Sequence, residues 1–164
     1  VASREDVGSW LEGGPGGGGG RPGEGLGLPA SGPGSPARLG RRLAALAVDW
    51  LACLLVSAAF FPSAAATGLA LQRGEPLATL AVFAVENVLL VGTLGTTLGH
   101  RLLGLRVVPA PERASAASGP VAGVGLLRAL VRTVLLCLVV PAVVRDGDGR
   151  GLHDTAAGTV IVRR

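Results

Sequence analysis

Leu43–Phe61 (LAALAVDWLACLLVSAAFF) decides the fold: it is an apolar run in which Asp49 is the single charged residue. At ~1.5 Å per residue its nineteen residues make roughly 28 Å of helix, the thickness of a bilayer's hydrocarbon core. A carboxylate inside such a helix costs roughly 2.5–3.5 kcal/mol on insertion scales, so Asp49 is expected to have a partner or a task. Arg42 precedes it by nearly two helical turns, on the same face but ~10 Å away along the axis. That distance is too great for a direct pair unless the arginine folds down. The partner of Asp49 is therefore expected on another segment.

Two further apolar blocks lie outward of this run, Leu77–Leu98 and Val124–Val144. They explain why 49% of the 164 residues are hydrophobic and only 16% charged, against about a quarter charged in a soluble domain. The class implied is a small multi-pass protein of the cell membrane, with the lipid bilayer as its first partner. All fifteen basic residues are arginine, the usage of a GC-rich genome, and the net charge is +4. That charge suits anionic headgroups, and with 3% aromatic residues there is no stacking array, so nucleic acid is excluded as a partner. Cys53 and Cys137 lie in apolar blocks without CxxC spacing and read as reduced small hydrophobes.

Residues 1–37 contain GGPGGGGG, RPGEGLGLP and SGPGSP. Such glycine and proline density buries too little surface to fold, so this part reads as a disordered cytoplasmic tail rather than a signal peptide. Residues 38–164 form the membrane domain. Arg38, Arg41 and Arg42 precede the first span and place that end in the cytoplasm, with the short loop Pro62–Pro76 outside. The second span returns to His100, Arg101 and Arg106 on the cytoplasmic side. Arg128 and Arg132, four apart at the start of the third block, read as an interfacial stripe snorkelling to headgroups. The fold class expected is an all-α bundle of three apolar helices. A full third crossing is the first expectation, and a broken or re-entrant third helix containing Pro141 is the alternative. LRVV at Leu105–Val108 and TVIV at Thr159–Val162 are β-branched runs that would pair only if both lay on one side.

The candidate chemistry rests on acids at membrane depth. Glu86, beside Asn87, sits mid-way along the second block on a helix antiparallel to that of Asp49, and paired acids there are what proton and cation relays use. The bland alternative is that each acid is neutralised or hydrogen-bonded structurally. Gly95 and Gly99 form GxxxG at the end of a small-residue ladder, a packing motif before a functional one. Asp146-x-Asp148 fails as a calcium loop because Arg150 and Ala157 stand at ligand positions. His153 and Asp154 have no companion cluster, so no metal site and no cofactor is expected. No nucleophile constellation, P-loop or GxGxxG is present, so no enzyme is expected either.

Three segments together resemble the RDD family of membrane proteins: RLAALAVDW at 42–50, TLGHRLLGLRVV at 97–108 and GLHDTAAGTVIV at 151–162. The resemblance covers Leu39 to Arg163, and the Gly/Pro-rich leader resembles that of actinobacterial members. It implies that the arginine and two aspartates of the family's name are Arg42, Asp49 and Asp154. It also implies a part in transport of unknown ligands, with cation/proton antiport proposed for some members. The expectation carried forward is a transport-related protein whose Arg42, Asp49, Glu86 and Asp154 form one polar cluster, with Arg101, Arg106, Arg128 and Arg132 at the cytoplasmic interface. So few helices enclose little volume, so a second copy or another membrane protein is expected beside it. The rival is an adaptor or assembly factor in which the same cluster is structural.

Overall fold

The computed structural model describes residues 21–64, 68–111, 123–138 and 148–164. Its frame is a hairpin of two long helices, α1 (Leu39–Phe60) and α2 (Pro76–Leu94), each long and apolar enough to cross a membrane. Helix α1 contains no interior proline and stops at Phe61, which precedes Pro62 and takes an extended φ of −132°. Helix α2 starts at a built cap: the Glu75 carboxylate accepts the backbone N–H of Leu77 and Ala78 at 2.7 and 3.0 Å, and Pro76 occupies the first turn. It ends at Gly95, whose φ of 68° is the left-handed geometry that favours glycine. Between them the chain folds back through a Pro62–Gly74 bridge and a single turn at Ala70–Gln72.

The two helices meet along rows spaced by four. Helix α1 buries Ala45, Asp49, Cys53 and Ser57, and α2 buries Thr79, Phe83, Asn87 and Val91. Small or polar side chains thus fill the seam, while Leu51, Leu55, Phe60, Leu77, Val85 and Leu89 face outward. That inversion suits a helix pair in lipid, where apolar burial gives helices no reason to associate and close packing does. Trp50 and Phe83 close one edge of the seam, rings edge-to-face at 5.4 Å.

At the end of the hairpin where α1 begins lies a smaller assembly. It consists of α3 (Leu98–Leu102), β1 (Leu105–Pro109), α4 (Leu126–Cys137), α5 (Leu152–Ala157) and β2 (Thr159–Arg163). Strands β1 and β2 pair antiparallel from Leu105↔Arg163 to Pro109↔Thr159, so the LRVV and TVIV runs do lie on one side. The fold is therefore mostly helical with a small sheet, not all-α. Leu105, Val107, Ala110, Val124, Ala129 and Ile161 form its core with Ala37, Ala45 and Val91.

Two further expectations are corrected. The described half of the Gly/Pro-rich tail is folded onto the free edge of β2: Gly34 N–H donates to Arg163 O at 2.8 Å, Arg163 N–H to Ser35 O at 2.9 Å and Ala37 N–H to Ile161 O at 2.8 Å. Leu26 packs on Val160 and Val162. Main-chain pairing of this kind needs no apolar side chains from the partner segment, so composition gave no warning of it. The expectation for residues 1–20 lies outside the described residues.

The third apolar block also differs. Helix α4 has twelve residues, about 18 Å, too short for a crossing. Its start is fastened to the end of α2: Gly123 N–H donates to Thr93 O at 3.0 Å and Gly125 N–H to Gly92 O at 3.1 Å. A Cβ at Gly123 would lie 2.2 Å from Gly92 O, which is why the chain is bare there. The remainder of Val124–Val144 beyond Leu138, with Pro141, lies outside the described residues.

Candidate functional site

Asp49 closes on the N-terminus of α3. A helix start leaves backbone N–H groups without intrahelical partners, and here the second and third each find one. Gly99 N–H donates to Asp49 Oδ1 at 2.6 Å, and His100 N–H donates to Thr97 Oγ1 at 3.2 Å. The Thr97 hydroxyl itself donates to Asp49 Oδ2 at 2.5 Å. Glu86 also accepts the Cys53 thiol at 3.1 Å, one turn along α1 from Asp49. The partner of Asp49 is thus the backbone and hydroxyl of a short helix rather than an arginine. Gly99 makes the approach feasible, since a Cβ there would lie 2.1 Å from Ala45 O.

His100 continues this network toward the sheet. Thr97 N–H donates to His100 Nδ1 at 3.3 Å, and Thr97 Oγ1 stands 2.7 Å from the same nitrogen. Burial, reinforced by Arg132 and Arg42 and opposed by Asp154, pushes the imidazole down to about 3, so it is neutral at physiological pH.

A second cluster lies beside it. Asp154, on α5, is fully buried; Arg132 Nε of α4 donates to its Oδ1 at 2.8 Å, and Arg42 Nη1 of α1 stands 3.5 Å from Oδ2. His153 Nε2 is 3.5 Å from Oδ2. Burial pushes the carboxyl up, but Arg132, His153 and Arg42 outweigh it and hold it at about 2. Arg42 is also anchored by backbone carbonyls, Ala37 O at 2.9 Å and Ile161 O at 3.5 Å. One carboxylate therefore ties together the start of the first span, α4, α5 and β2.

The four residues expected in a single cluster occupy two adjacent ones: Asp49 with Glu86, and Arg42 with Asp154. Arg132 acts electrostatically on Asp49 and is the link between them. Among the expected interfacial arginines, Arg101 is exposed, and Arg106 and Arg128 are half-buried. Arg132 is not at the interface but 3% exposed, because a fully buried Asp154 demands a cation. Thr97, His100 and His153 join these clusters, although the sequence placed His100 at the cytoplasmic boundary, His153 as a ligand without companions and Thr97 in a packing ladder. The Thr97-x-x-His100 spacing is that of a capping box, the signal that was available. Among the described residues no three His, Cys, Asp or Glu side chains gather as a metal site.

Two apolar helices of spanning length, packed by small and polar residues and closed at one end by buried charge pairs, define a membrane protein. The sequence profile of the RDD family matches residues 36–158, and the chain belongs to that family. No curated protein and no solved structure matches the chain.

Proposed function

We propose that this protein is a non-enzymatic, transport-related protein of the cell membrane, with both spans crossing. Asp49 and Glu86 handle a proton in exchange for a cation or small solute. The observation that supports this reading is the pairing itself. Two mid-span carboxylates share the α1–α2 seam, Asp49 held by the Thr97 hydroxyl and the Gly99 N–H and Glu86 by the Cys53 thiol one turn along α1, and among the described residues neither has an arginine in ion-pair contact. An acid so placed can exchange its proton without breaking a salt bridge. Thr97 Oγ1, within hydrogen-bond distance of both Asp49 and His100, offers a path for that proton toward the sheet end. One hairpin encloses no pathway, so a second copy completes it.

The test is ion-driven proton movement in vesicles holding the purified chain, with an interior pH dye and an imposed sodium or potassium gradient. Wild type should move protons and Asp49→Asn should move far fewer. Absence of movement in the wild type for every cation tried sinks the antiport form of the proposal.

A second reading, an adaptor or assembly factor, draws on a different observation. Residues 34–37 are hydrogen-bonded onto β2, so the segment that precedes α1 is presented from a fixed point. Deleting residues 1–20 decides between the two. Retained flux favours transport, and a lost cellular phenotype with an intact membrane core favours the adaptor.

A further inference from the structure

The three short helices are built inside out. Helix α3 buries Gly99 and His100 and exposes Leu98 and Leu102; α5 buries His153 and Asp154 and exposes Leu152. Helix α4 shows it most fully: Ala129, Arg132 and Thr133 face inward, while Leu126, Leu127, Leu130, Val134 and Leu138 face outward, Leu127 at 75% exposure. A helix packed on a water-soluble core has the opposite polarity, with its leucines inside and its arginines out. Here each polar side is consumed by the buried clusters, and the apolar sides stay largely exposed among the described residues, with Leu126 lying close to Gly92 of α2.

From this we infer that the sheet-end assembly is itself seated in the membrane. The outward leucines of α3, α4 and α5 dip into one leaflet, and the occupant of that apolar surface is lipid. Two features favour lipid over water or a protein partner. The surface is continuous with the outward faces of the spans, through Leu43 of α1 and Leu94 of α2. Its rim carries exposed cations, Arg41 and Arg101, and Arg41 Nη1 reaches Leu103 O at 3.5 Å across the α1–α3 junction. Leucines below and arginines at the rim complement an anionic leaflet, acyl chains beneath and phosphates above.

A topological consequence follows. The start of α4 is fastened to the end of α2, and α5, which follows it, is fastened to the start of α1 through Asp154 and Arg42. These two ends lie on one side, as the β1–β2 pairing also requires. The described segments on either side of residues 139–147 therefore lie at the same end of the hairpin. This inference is independent of transport and holds equally for an adaptor.

Spin labels placed by Leu127→Cys and Leu152→Cys in the full chain, reconstituted in vesicles containing phosphatidylglycerol, test it. The signal from labelled native cysteines is subtracted. Both sites should collide readily with oxygen and at least several-fold less with a water-soluble nickel chelate. Ready collision with nickel places the helices in water and overturns the inference. Protection from both probes that is relieved by diluting the protein with lipid overturns it in favour of a second copy. Leu102→Cys serves as the replacement should either variant fail to fold, and labels at Arg101 and Arg164, exposed and on either side of the block, must report the same leaflet.

Discussion

The two polar clusters are neighbours, yet they are built on different principles. In the Asp154 cluster, the carboxylate is held by two guanidinium groups and a histidine, so its charge is fixed. At the acid pair, Asp49 and Glu86 are held by neutral donors, so each charge is free to change. A buried ion pair is costly to break and contributes little over an apolar replacement, whereas a neutral hydrogen-bonded acid can gain or lose a proton in place. The difference fits a structural role for the first cluster and, on the function proposed above, proton exchange for the second.

The sharpest way to break that division is Asp154→Asn. It leaves Arg42 and Arg132 without a counter-charge, and it should cost about 3–5 kcal/mol, the usual effect of removing one partner from a buried pair. Thermal unfolding in detergent should show a large fall in midpoint, with flux per folded molecule little changed. A smaller loss is expected from Gly99→Ala, because a Cβ there would lie 2.1 Å from Ala45 O. Crowding of this kind typically costs 1–3 kcal/mol, roughly, and here it also separates Asp49 from the start of α3. Both stability and flux should fall together, which would show the acid pair's dependence on α3. Thr97→Val should cost about 1 kcal/mol through loss of the helix cap. It should also slow proton movement more than it lowers the midpoint.

The effect that is smallest at neutral pH, and grows only in acid, is on pH dependence. The ordinary pKa of histidine is about 6.5, and the folded value for His100 lies near 3. Between those values the unfolded chain binds a proton that the folded chain does not. Stability is therefore full above about pH 6.5 and declines as pH falls toward 3. Asp154, depressed to about 2, adds a further loss only below its ordinary value of 3.8. His100→Asn should flatten the slope between pH 6 and 4, and an unchanged slope would show that His100 is not the group responsible.

Much of this frame was legible in the sequence. The two long apolar helices, their antiparallel hairpin and the need of Asp49 for a partner on another segment followed from run length and from the cost of charge in lipid. The sheet was visible only as two short β-branched runs, since four-residue patterns specify a strand weakly without their partner. Arg132 was misplaced because its spacing from Arg128 suggested a shared face, whereas α4 turns Ala129, Arg132 and Thr133 inward. The better clue was on the opposite face, where Leu126, Leu127, Leu130 and Val134 form a stripe too apolar for headgroups and water. The fold of residues 21–37 onto β2 was illegible because backbone pairing leaves no side-chain signature.

The most direct test of the division between the clusters is Glu86→Gln, measured for proton flux in vesicles and for thermal midpoint on the same preparation. The amide keeps the shape and can still accept from the Cys53 thiol, but it cannot ionise. The account predicts a midpoint close to wild type with flux lost. Wild-type flux, or a flux that falls only in proportion to folded protein, would contradict it.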